Sequence, residues 1–181
     1  MGGVPVLDLA GRLAARKAEL AAKWADLIFG SYPEETQKLW KQQKNRFANP
    51  VGTTISEAAE RLFALLLDWQ DAAAVEQALE MLVKIRAVQS FEPSGALGFI
   101  FLLKQVLREA LLEEISREGL VDELLRLETR IDTLALIAFD QYCKNREQLF
   151  ALRVQEVNLA QHNLLRRAGM ILDASADEAE K

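Results

Sequence analysis

The side chains able to do chemistry are few in this chain, and their spacing does not bring them together. His162 is the only histidine, so neither a two-histidine zinc site nor a histidine-paired acid–base couple can be built within one chain. Cys143 is the only cysteine. With no Cys or His beside it, it reads as a core or boundary thiol, and an internal disulfide framework is excluded. The acidic pairs Glu34-Glu35, Glu113-Glu114 and Asp122-Glu123 lack the Glu-x-x-His spacing of helical di-iron sites and read as solvated helix faces. No glycine-rich phosphate loop occurs. The expectation is a protein that is not an enzyme and carries no metal or cofactor.

Five polar residues stand inside or beside the most apolar part of the chain: Arg86, Gln89, Ser90, Ser94 and Lys104. Burying such groups is unfavourable unless each finds a partner, so they either cap helix ends or line something. One use is structural, with Arg86 and Gln89 closing a turn between two helices. The other is a small ligand pocket under that turn, lined by Arg86, Gln89 and Lys104 and walled by Phe91, Phe99 and Phe101.

The elements that would position these residues are helical throughout. The chain has 181 residues, 50% hydrophobic and 27% charged, with only 9 Gly and 4 Pro. That supplies one domain with a large core and little punctuation, as a few long helices require. Between Ala96 and Leu103 the sequence is apolar on all sides apart from Gly98, which predicts a central helix covered all round, with residues 96–107 the most buried segment. Pro93 suits its first turn and Gly119 its end.

The wrapping is predicted from periodicity and caps. A first helix runs from about Asp8 to Phe29, with Leu9, Leu13, Leu20, Trp24 and Ile28 on one face. Ser31 with Glu34 forms a capping-box pattern for a second helix reaching about Arg46, and Asn49-Pro50-Val51-Gly52 reads as a turn. Thr54 with Glu57 forms another capping box, opening a third helix that reaches about Trp69. Asp71 caps a fourth that buries Val75, Leu79, Leu82, Val83 and Val88. After Gly119, apolar residues keep a 4,3 spacing through Leu120, Leu124, Leu127, Ile131, Leu134 and Ala138. That last helix can continue for about 45 residues, roughly 70 Å. Such a length exceeds one domain, so the far part projects, pairs with another copy or folds back near Asn145. Leu149, Leu152, Leu159 and Leu164 are the candidates for a homodimer interface. The reading is all-α, with about six helices in one domain over 1–172 and an acidic, disordered tail over 173–181.

Charge narrows the partners. Net charge is −5. Residues 1–50 carry eight Lys/Arg against five Asp/Glu, and the remainder fourteen against twenty-two. Only Lys38, Lys41, Lys44 and Arg46 make a basic cluster, so nucleic acid is not an expected partner. No window has about 18 uninterrupted apolar residues, and the N-terminus lacks a signal-peptide pattern. A cytoplasmic protein without membrane insertion is expected.

The segments YPEETQKLW (32–40), FANPVG (47–52) and IRAVQSFEPSGALGFIFLLK (85–104) resemble the N-terminal domain of RsbRD-type RsbT co-antagonist proteins. The resemblance covers about residues 10–155 in order. It implies a sensory input domain of stress-signalling assemblies, with a globin-like, haem-free fold that dimerises through its last helices and acts through an unidentified regulatory protein partner. A haem globin needs a proximal histidine across its central pocket, whereas His162 lies far down the last helix. The STAS output domain that follows in the family is not expected here, nor are its phosphorylatable residues. A reading of another class is a small-ligand or cofactor-binding accessory protein of a respiratory complex.

Overall fold

Proline, glycine and aspartate set most of the helix boundaries, and two arginines finish what they leave open. The computed structural model describes residues 8–42, 50–89, 91–168 and 170. Among them are eight α-helices and no strand. They are α1 (Leu9–Ala15), α2 (Lys17–Gly30), α3 (Glu34–Gln42), α4 (Pro50–Asp68), α5 (Ala72–Val88), α6 (Pro93–Leu97), α7 (Phe99–Glu118) and α8 (Val121–Arg167). Residues up to Cys143 form one compact unit and residues from Lys144 onward a second. The expected basic cluster beyond Lys38 and the acidic tail over 173–181 lie outside the described residues or side chains.

Several boundaries follow the predicted caps. The Asp8 carboxylate accepts from the Gly11 amide at 2.8 Å, and Asp71 accepts from the Ala74 amide at 2.9 Å. Each satisfies a donor that the first turn of its helix leaves open. Glu92 is extended ahead of Pro93, and Gly119 ends α7 in the left-handed region at φ 74°. Glycine adopts that conformation without the Cβ clash other residues meet.

Other boundaries correct the expectation. About six helices become eight because two expected helices are each divided at one residue. Arg16 breaks the first, where its amide bonds both the Arg12 and Leu13 carbonyls and the turn tightens. Gly98 breaks the central helix, and a Cβ there would come within 3.0 Å of the Ser94 carbonyl. Thr54 does not cap a helix: α4 already begins at Pro50, and the Thr54 hydroxyl donates to the Pro50 carbonyl at 2.8 Å. A proline with preset φ at the first helical position accounts for that earlier start. Ser31 serves the end of α2, donating to the Ile28 carbonyl at 2.6 Å.

In the first unit α2 packs on α4 and α7, and α4 packs on α5. The core holds Trp24, Ile28, Phe63, Leu66, Leu79 and Leu107, all fully or nearly fully buried. Val88, expected inside, is exposed. The central segment is not covered on every side either. Within 96–107, Ala96, Leu97, Phe99, Ile100, Leu103, Val106 and Leu107 are buried, but Phe101 is 49% exposed and Gln105 is exposed. α7 is therefore one-sided from its first turn, and an all-round apolar stretch did not compel all-round burial.

The α8 residues of the first unit bury Leu124, Leu127, Ile131, Leu134, Ala138 and Tyr142. The second unit, taken alone, is helical to Arg167, and every residue from Phe150 to Ala168 is exposed. No helix among the described residues is long and apolar enough to cross a membrane.

Candidate functional site

Arg86 is the most unusual buried group in the protein. It lies on the last turn of α5 and is 2% exposed, yet no carboxylate lies within ion-pair distance of it among the described residues. Its guanidinium is held by oxygens instead. Nη1 donates to the Gly95 carbonyl of α6 at 3.0 Å, and Nη2 to the Ser31 hydroxyl at 2.6 Å and the Ile28 carbonyl at 3.3 Å. Three rings surround it, those of Tyr32, Phe91 and Phe99, with centroids 4.9, 5.1 and 4.9 Å from Cζ. Ring faces attract a cation, and the attraction strengthens when both groups are out of water. α2 has no basic residue in its own last turn, so the guanidinium also supplies the positive charge that the carbonyl end of a helix favours.

Burial moves the local protonation equilibria in opposite directions. Desolvation pulls the Arg86 pKa down from its ordinary value, opposed by the neighbouring Tyr32. Desolvation pushes the Tyr32 phenol up, opposed by Arg86. Both shifts follow from the charged form losing water. The arrangement fastens helices and contains no nucleophile or base aimed at a cavity.

The six residues proposed to line a pocket divide into two groups and one outlier. Arg86, Phe91 and Phe99 come together, joined by Tyr32, which packs edge-on to Phe91 with centroids 5.4 Å apart. Phe101 and Lys104 sit together on α7, with Lys104 Nζ 6.0 Å from the Phe101 ring centroid and 2.7 Å from the Asp132 carboxylate of α8. Gln89 is exposed at the end of α5. Of the other polar residues singled out, Ser94 is exposed on α6 and Ser90 lies outside the described residues. Arg86 thus closes the turn between α5 and α6, the structural use weighed above.

Three arginines that sequence reasoning passed over do comparable work. Arg130 of α8 donates from Nη1 to the Leu66 and Leu67 carbonyls at 3.0 and 3.1 Å, at the end of α4. Arg108 of α7 makes a two-pronged contact with Glu128 of α8 at 2.7 and 2.6 Å. Glu128 is nearly buried, at 6% exposure. Arg12 of α1 pairs with Glu114 and Glu118 of α7. No local pattern marks these contacts, because each joins residues far apart in the chain.

Trp24 and Tyr142 complete the polar fastening of the core. The buried Trp24 indole donates from Nε1 to the Phe99 carbonyl at 2.8 Å. The Tyr142 hydroxyl of α8 donates to the Phe91 carbonyl at 2.8 Å, and Gln141 Nε2 to the Glu76 carbonyl at 3.0 Å. A cleft of about 240 Å³ lies elsewhere, beside the start of α8. Leu9, Leu13, Leu67 and Leu127 floor it, and Asp8, Glu123, Arg126 and Arg130 rim it. Asp8 there caps α1, Glu123 accepts from the Leu9 amide at 3.0 Å and Arg130 caps α4, so three of its four charged groups already have structural partners.

Cys143 is partly buried and His162 exposed. No group of three or more His, Cys, Asp or Glu could hold a metal ion among the described residues. The interface candidates Leu152, Leu159 and Leu164 are 56%, 63% and 64% exposed, and Leu149 is half-buried. They do not form one stripe. At about 100° per residue, Leu164 lies well over 100° round the helix from Leu152 and Leu159, on the side of Phe150 and Val157. The helix of the second unit therefore presents two apolar stripes.

No curated protein and no solved structure matches the chain. The family model of the RsbT co-antagonist protein rsbRD N-terminal domain matches residues 18–157, and the chain belongs to that family.

Proposed function

We propose that the protein is a cytoplasmic sensory or regulatory module of stress signalling that works through protein–protein contacts, on a haem-free, globin-like fold. Membership of the RsbRD N-terminal family supports the sensory and regulatory part. The lone histidine lies on an exposed stretch of helix, while the interior around Trp24, Phe63, Arg86 and Phe99 is filled with side chains, which supports the absence of haem. The oxygens, rings and carbonyls around Arg86 hold helices together and leave no group poised for catalysis, which supports a non-enzymatic role.

The observation that carries the reading is the apolar surface of the second unit. Phe150, Leu152, Val157, Leu159 and Leu164 are all more than half exposed. Burying one such side chain fully is worth about 1.5–3 kcal/mol, so an exposed run of them favours association. The partner proposed first is a second copy, because a symmetric pairing buries the same stripe on both chains at once.

The test is light scattering at micromolar concentration. The unmodified chain is expected at twice the monomer mass, and either Leu152→Glu/Leu159→Glu or Phe150→Glu/Val157→Glu is expected to restore the monomer. A monomer mass for the unmodified chain, unmoved by both double variants, rejects the dimer. Native mass spectrometry of the same sample separates the carrier reading, which requires a bound small molecule.

A further inference from the structure

Tyr142 is the last buried residue of α8 and the point where that helix is fastened by a side-chain hydroxyl. Its acceptor is not in a helix. Phe91 lies between α5 and α6, directly before the extended Glu92. Its ring is held edge-on by Tyr32 and faced by the Arg86 guanidinium. Arg86 is in turn bonded to the end of α2 through Ile28 and Ser31 and to α6 through Gly95. One buried cation thus positions the acceptor for Tyr142.

The neighbouring tether is built with a defect. Gln141 Nε2 reaches the Glu76 carbonyl of α5, but its Oε1 is buried and has no hydrogen-bond partner among the described residues. A buried acceptor without a donor destabilises the docked arrangement, and release to water would satisfy it. The docked segment therefore carries both a fastener and a bias toward opening.

We propose that Arg86, Phe91 and Tyr142 form one conformational latch, which holds the Ala138–Cys143 segment of α8, the last of the first unit, docked against the strain of Gln141. Loosening the aromatic cage around Arg86 opens that segment without unfolding the rest of the unit. The latch is internal to one chain. It needs neither a second copy nor a partner, so its failure and that of the dimer are read in different assays.

The test is hydrogen exchange by mass spectrometry on the full chain carrying Arg86→Met, Tyr142→Phe, both changes together, Gln141→Met, or Arg130→Met as a control elsewhere in the unit. Tyr142→Phe removes one hydroxyl and is expected to speed exchange over 138–143 roughly five-fold, the effect of one ordinary hydrogen bond. Arg86→Met is expected to speed the same amides at least as much, and adding Tyr142→Phe to it to change them little further, because coupled groups are not additive. Gln141→Met, which removes the orphaned acceptor, is expected to slow them. Arg130→Met should leave them near the unmodified rate. Full additivity of the first two changes, unchanged rates over 138–143, or uniform acceleration of every helix in Tyr142→Phe overturns the latch. If Arg86→Met does not fold, Tyr142→Phe and Gln141→Met alone must move these amides in opposite directions, and movement in the same direction overturns it.

Discussion

Replacing Arg130 with methionine should cost about 2 kcal/mol, and the figure can be worked from the end of α4. The chain leaves that helix at Trp69, whose φ of 47° is the one positive value at a non-glycine residue among the described residues. A side chain in this left-handed region costs roughly 1–2 kcal/mol. The indole packs against the core, which offsets that cost. The Trp69 amide bonds the Leu65 carbonyl at 2.7 Å, leaving the Leu66 and Leu67 carbonyls for another donor. Asp68 ends the helix and no basic residue stands in its last turn, an arrangement the helix dipole disfavours. Arg130 answers both needs from α8. A charged donor to a carbonyl is worth about 1.5–3 kcal/mol, taken here at the low end because one nitrogen is shared between two acceptors and the group is half-buried. The cation at the helix terminus adds roughly 0.5 kcal/mol. Methionine keeps the aliphatic packing and removes both, which for a chain this long lowers Tm by about 4–8 °C. Lysine keeps the charge but not the planar donor geometry, so Arg130→Lys should recover roughly half. Urea unfolding of the three proteins side by side reads these differences. A loss under about 0.5 kcal/mol for Met, or Lys no better than Met, refutes the reasoning.

Two further outcomes follow from single sites. Trp24→Phe removes the indole donor to Phe99 and part of a fully buried ring. It should cost about 2–3 kcal/mol at unchanged m-value, and a loss below about 1 kcal/mol argues that the indole is not the anchor described. The Glu19 carboxyl is held down from 4.5 to about 2, first by its hydrogen bond from Arg16 and then by that from Lys23. A lowered folded-state value means that the contribution to stability is complete above about pH 4.5 and is lost as the pH falls toward 2. Because Glu19 is exposed, salt should screen the effect. A carboxyl titration by NMR should find the Glu19 midpoint well below 4.5 at low salt and nearer 4.5 in concentrated salt, and a midpoint near 4.5 at low salt contradicts the assignment.

What the sequence made legible was whatever a local pattern encodes. The apolar faces of α2, α4 and the first part of α8 were readable because burial imposes the helical period on Leu20, Trp24 and Ile28, on Ile55, Leu62 and Leu66, and on Leu124, Ile131 and Ala138. Asp71 and Gly119 were readable because each satisfies backbone groups within four residues of itself. The capping boxes at Ser31 and Thr54 misled because a hydroxyl can bond carbonyls behind it as readily as amides ahead, and both do the former. The exposed Phe101 shows that an apolar run fixes composition on every face but not what lies against each. The candidate site was half legible. Arg86 stood out as a charge in apolar surroundings, whereas Ser31, Tyr32 and Gly95, which make that charge tolerable, carry no local sign of it. Arg130 was invisible because its acceptors lie more than sixty residues away.

These long-range arginines bear on what the protein can meet. α2 and α4 both end without a basic residue of their own, and each takes its terminal cation from another helix, Arg86 from α5 and Arg130 from α8. Arg16 likewise donates to the Ala110 carbonyl of α7 at 3.1 Å, and Arg108 and Arg12 are paired with carboxylates. These five of the 22 Lys/Arg are thus engaged within the protein itself. A nucleic-acid surface needs the reverse, with several arginines and lysines free to meet phosphates. The chain is acidic on balance at −5, and exposed apolar side chains stand on both units, among them Phe101, Leu125 and Leu136 as well as Phe150 and Leu159, a surface better suited to an apolar contact than to a polyanion. A polyanion bound tightly and salt-sensitively by the whole chain would show that the inward-facing arginines can be recruited, and would reverse that preference.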